Sequence, residues 1–111
     1  MQKFTIDPRR LAQEGMNALQ AGNAKQARAC FEKLVDGNYA DASIFLALAY
    51  ACKSMQDASA ATSAIDNVLL LEPQNLRALL FKADHLAEAG DRRAASAFYL
   101  AAIKAAPPAG Q

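Results

Sequence analysis

With 111 residues the chain has room for one modest core and little more. Its net charge of +1, from 12 basic and 11 acidic residues, offers no field for nucleic acid or an anionic membrane, and the pairs Arg9-Arg10 and Arg92-Arg93 are too few for a basic stripe. About a quarter of the residues are alanine, the best helix former, while tryptophan is absent and β-branched residues are scarce, which points to an all-α fold.

The start, "MQKFTIDPRR", has no apolar stretch behind its charges and so does not read as a leader. Asp7-Pro8 is an N-cap followed by proline at the first helical position, and it opens a helix over 8–21 that carries Leu11, Gly15 and Ala18 on one face and stops at Gly22. Asn23 caps the next, 24–36, with Ala27, Phe31 and Leu34 in an i, i+4, i+7 stripe. Asp41 opens 42–55, with Phe45, Ala49 and Cys52 on its face, and Gln56 stands where a glycine would make the better turn. Asp57 opens 58–71, striped by Ala61, Ile65 and Val68. Its end, Val68 to Leu71, is far shorter than the about 20 apolar residues a bilayer requires. Pro73 stops that helix, and Asn75 caps 76–89, which carries Leu79, Ala83 and Leu86 and ends at Gly90. Asp91 caps 92–106, with Ala95, Tyr99 and Ala102 on the stripe, before the helix-breaking tail "PPAGQ".

These signals recur. Asp7, Asp41 and Asn75 are spaced 34 residues apart, and so are Asn23, Asp57 and Asp91. The small residues Gly15, Ala49 and Ala83 keep the same interval where two helices must cross closely, and Tyr39, Pro73 and Pro107 keep it after each second helix. A 34-residue helix–turn–helix period with Ala27-x3-Phe31, Ala61-x3-Ile65 and Ala95-x3-Tyr99 and two closing prolines resembles the tetratricopeptide repeat (TPR). The resemblance spans residues 8 to about 109. It departs from the pattern in having no tryptophan, in lacking the first proline, and in keeping the leucine before the small residue only as Leu48, with Glu14 and Lys82 in its place elsewhere. The resemblance implies a right-handed α-solenoid of three helix–turn–helix units, 8–41, 42–75 and 76–109, forming a single domain over 1–111.

TPR domains bind an extended peptide or a helix in a concave groove lined by the first helix of each unit. Carried over, the inward positions are Arg9, Ala12, Gln13, Met16 and Gln20; then Ser43, Leu46, Ala47, Tyr50, Lys53 and Ser54; then Arg77, Leu80, Phe81, Asp84 and Glu88. The groove residues singled out are Arg9, Met16, Leu46, Tyr50, Lys53, Arg77, Leu80, Phe81 and Asp84, an apolar centre with charges towards the rim. Whether Tyr50 and Phe81 both face the groove or one belongs to the core stays open, since consecutive Leu80 and Phe81 cannot face it equally. The carboxylate clamp of chaperone-binding TPR domains is missing: its places hold Ala12, Met16, Ala47, Arg77 and Phe81, of which Arg77 alone could serve.

Chemistry of other kinds finds little footing. His85 is the single histidine, and with Asp84 and Glu88 it makes no ligand set for a metal and no catalytic triad. The five glycines build no phosphate-cradling loop. The expectation is no enzyme in its own right and no cofactor. Cys30 and Cys52 lack metal or redox spacing and read as reduced core thiols of a cytoplasmic protein, a disulfide or reactive thiol being the alternative.

TPR arrays usually finish with a solvating helix, and no sequence for one follows Ala105. Either a partner or a second copy covers that open face, or the chain is part of something longer, or alanine-rich packing leaves the face tolerably small. Three expectations of function follow, the first resting on the groove. The chain is a scaffold or adaptor binding a protein or peptide; or it is the N-terminal accessory region of a longer bacterial enzyme; or it forms a homodimer through Tyr99 and Ile103. For the second, "ALLFKADHLAEAGDRRAASAFYLAAIKAAPP" looks similar to the TPR region ahead of aspartyl/asparaginyl β-hydroxylase-type oxygenase domains.

Overall fold

The computed structural model describes residues 7–107; the start, Met1 to Ile6, and the tail beyond Pro107 lie outside the described residues. Between them run six helices: α1 Pro8–Gln20, α2 Ala24–Asp36, α3 Ala42–Ser54, α4 Ala58–Leu71, α5 Leu76–Glu88 and α6 Arg92–Ala105. All six expected caps form. The side chains of Asp7, Asn23, Asp41, Asp57, Asn75 and Asp91 each accept a hydrogen bond from the backbone N–H three residues on, satisfying a donor the helix itself leaves free.

Four helices stop one residue earlier than their periodicity suggests, and the turns give the reason for three of them. After α1, Gly22 turns left-handed (φ +82°), its N–H bonds to the Leu19 carbonyl, and the Asn23 N–H reaches back to that of Ala18. The same paired closure follows α3 and α5, through Gln56 and Gly90. The residue that completes each closing turn is thus also the N-cap of the next helix, which fixes the angle within each pair. Asn38 (φ +63°) closes α2 in the same way, a turn the sequence reading missed. The end of α4 differs: Glu72 bonds back to Val68, and Pro73 prevents continuation. α6 also ends early, at Ala105, with Ala106 already extended and its N–H bonded to Ala102.

Neighbouring helices pack in sequence order into an all-α solenoid about 55 × 33 × 24 Å. The described residues contain three helix pairs and no seventh helix. The core falls into two clusters that share α3. Ala18, Ala27, Phe31, Leu34, Ile44, Ala47 and Ala51 join the first pair to α3. On the other side, Ala42, Ala49, Cys52, Ala61, Ala64, Ile65, Val68, Ala78 and Phe81 join α3 and α4 to α5. α3 is accordingly apolar nearly all round, as a central helix must be. Fully buried Phe31 and Ile65, each contributing about 2–3 kcal/mol, occupy the same place in successive pairs.

Small residues are needed where the helices of a pair cross. A Cβ on Gly15 would come within 2.6 Å of the Phe31 ring, whereas Ala49 and Ala83 fit beside other partners. Both cysteines are free and buried, and burial pushes both thiols up, away from reactivity. Lys82, which stands where the repeat pattern expects leucine, reaches Asp66 on α4 at 2.7 Å. Its departure from the pattern is an ion pair between neighbouring units.

Candidate functional site

The first helices, α1, α3 and α5, carry every groove residue singled out from the sequence. Arg9, Lys53, Arg77 and Asp84 are exposed. Met16 and Leu46 are half-buried and rest on the first and second clusters respectively. Tyr50 and Leu80 are exposed at 37% and 39%, large apolar side chains left facing solvent. Ala47, also mapped inward, is buried.

Phe81 is 9% exposed and belongs to the second cluster, so it is chiefly a core residue. It is not cut off from Tyr50, however. The two rings meet edge to face at 5.6 Å between centroids, and the Lys53 ammonium lies 5.1 Å from the Phe81 centroid. The open question of groove or core thus resolves into a pair: Tyr50 outside, Phe81 beneath it. Asp84 is turned towards α6, where it accepts a hydrogen bond from the Tyr99 hydroxyl. That bond, with partial burial, pushes the Tyr99 pKa up, because losing the proton would break it.

Beside Phe81 opens a cleft of about 310 Å³ lined by Lys53, Gln56, Ala58, Ala61, Phe81, His85 and Glu88. Sequence reasoning placed Lys53, Phe81 and Glu88 on the inward face but missed the contributions of Gln56, Ala58, Ala61 and His85. The signal was present in the register. Phe81 stands where the previous unit has Ala47, and Lys53 where the first has Leu19. A second depression, about 590 Å³, lies between α2 and α4 over Phe45, Leu48 and Cys52, on the side away from Tyr50. It was not expected, because Phe45 and Cys52 read as plain core positions.

Among the described residues no group of three or more His, Cys, Asp or Glu stands close enough to hold a metal ion. None of their helices is long and apolar enough to cross a membrane.

No protein-family model and no curated protein sequence matches the chain. Among solved structures it is similar to the crystal structure of PcrH in complex with the chaperone binding region of PopB. The TM-score is 0.82 at 23% identity, over 95% of this chain and 86% of that one. At that identity the likeness is one of fold, and it supports an all-α, TPR-like helical repeat. It does not support the expected link to a β-hydroxylase-type oxygenase.

Proposed function

We propose that the chain is a non-catalytic binding module that holds an extended peptide or a helix of a partner protein against the face formed by α1, α3 and α5. The observation that carries this reading is the exposure of Tyr50 and Leu80, with half-buried Met16 and Leu46 and exposed Arg9, Lys53 and Arg77 on the same three helices. Such a face, with apolar anchors among polar groups, gains free energy when a partner excludes water from it. PcrH, whose fold this chain shares, was crystallised with a segment of another protein, which supports binding as the use of this architecture. Single-domain organisation over 1–111 and action as an adaptor belong to the same proposal.

The test is affinity capture by the full chain and by a Tyr50→Ser/Leu80→Ser variant. Both residues are exposed, so helicity by circular dichroism should be unchanged while capture is lost. An identical set of captured proteins would sink this reading.

A second reading, self-association through α6, rests on exposures at matching positions. Ile103 is 70% exposed, whereas Val35 and Leu69, its equivalents in the first two units, are half-buried, Leu69 against the second cluster. Leu100, 52% exposed, stands where the earlier units carry Glu32 and Asp66. Sedimentation equilibrium should then show a dimer that Ile103→Glu dissociates; a monomer at all concentrations excludes it. No observation favours the accessory-domain expectation, and it is not carried further.

A further inference from the structure

The cleft beside Phe81 has a cause in the sequence. At the junction between the first and second units the matching positions hold Leu19, Ala47 and Ala51. Leu19 packs onto the core there, both alanines are buried, and α3 seats directly against its neighbours. At the next junction the same positions hold Lys53, Phe81 and His85. A phenyl ring replaces a methyl group and holds the helices apart, and a lysine that will not bury its charge leaves unfilled the space a leucine would occupy. The floor that remains is apolar, made by Ala58, Ala61 and Phe81, and the rim is charged, with Lys53 on the α3 side and Glu88 on the α5 side.

Resting on the binding-face reading above, we propose that this cleft seats one large apolar side chain of a bound peptide whose adjacent acidic residue pairs with Lys53. Size and lining set the first half of this assignment: about 310 Å³ over an apolar floor gives room for a large side chain, but not for a whole helix about 10 Å across. Charge sets the second half. The Lys53 ammonium lies over the Phe81 ring at the mouth of the cleft, so a carboxylate entering beside an apolar group meets it without displacing any ion pair of Lys53 among the described residues. Glu88 on the opposite side disfavours a second acidic neighbour there. Specificity therefore comes from an asymmetric rim around a neutral floor.

The experiment is selection of random linear peptides displayed on phage against the immobilised full chain. The enriched peptides are expected to share a large apolar residue next to Asp or Glu. Lys53→Glu should switch that neighbour to Lys or Arg. Lys53→Leu, which imports the residue that fills the first junction, should weaken the enriched peptide by about tenfold or more while circular dichroism stays unchanged. Peptides that bind both Lys53 variants as well as wild type, yet are lost on Tyr50→Ser/Leu80→Ser, would remove the cleft and leave the binding face standing. Enrichment of nothing, or of peptides indifferent to both sets of changes, would remove both.

Discussion

Where α3 leans on the first helix pair it presents Ile44, Ala47 and Ala51; where α5 leans on the second it presents Ala78, Phe81 and His85 at the same register. The backbone consequences differ. α2 and α3 share the more extensive interface, α4 and α5 the thinner one. α1 also touches α3 along the backbone, while α3 and α5 make no comparable contact and meet through Tyr50, Lys53 and Phe81. One periodic pattern thus yields a closed junction and a wedged one. A repeat can keep its caps, period and stripe, and still open a ligand-sized space by exchanging an alanine for a phenylalanine and a leucine for a lysine at one junction.

The largest expected effect comes from removing the wedge. Phe81→Ala should cost about 3 kcal/mol, the low end for a buried phenylalanine because the cleft already leaves part of its ring unpacked. Urea unfolding followed by circular dichroism measures it, and hydrogen exchange should locate the loss in α5 and α6. A loss below about 1 kcal/mol would mean that α5 is held mainly by other contacts, and that the two junctions differ less than their packing implies.

Much of this was legible in the sequence. Six caps, the paired glycine turns and the 34-residue register depend on local chemistry: a carboxylate or amide reaching an N–H three residues on, and a left-handed residue closing a turn. The face of α5 was harder. Leu80 and Phe81 are adjacent apolar residues, and Phe81 is the one buried, against α3 and α4. Which of the two turns inward depends on how α5 seats on those helices, a tertiary matter that periodicity within α5 does not carry. Lys82 failed as a pattern match for a similar reason, since its partner Asp66 lies on another helix.

The closed junction rests on a closely fitted pair within its own first unit, and that pair can be broken and repaired. Gly15→Ala drives a methyl group into the Phe31 ring, and overpacking of about 1–3 kcal/mol exceeds the gain of up to about 1 kcal/mol from helix propensity. The second unit uses Ala49 with Ile65 at the same two positions. Gly15→Ala/Phe31→Ile copies that solution. In a double-mutant cycle the pair should be less destabilised than the sum of the singles by about 1 kcal/mol. Strict additivity would show that the crossing distance is not set by these two side chains.

The smallest effect concerns how each junction is braced. At the first, Arg28 on α2 bonds to Asp57, the cap of α4, at 3.0 Å; at the second its counterpart Thr62 bonds only to its own helix, at the Ala58 carbonyl. The Ala60 N–H, and then Arg28, hold the Asp57 carboxyl below the usual carboxylate range. A carboxyl depressed in the folded state binds fewer protons there than when unfolded. Its contribution is therefore complete above about pH 4 and is lost as pH falls below that. Arg28→Thr, which copies the second junction, should lower the thermal midpoint slightly at pH 7, and the gap to wild type should narrow as pH falls below about 4. A gap that persists undiminished at pH 3 would assign the effect to packing of the arginine stem, leaving the Lys82–Asp66 pair at the second junction as the one ionic brace among the described residues that sets the two apart.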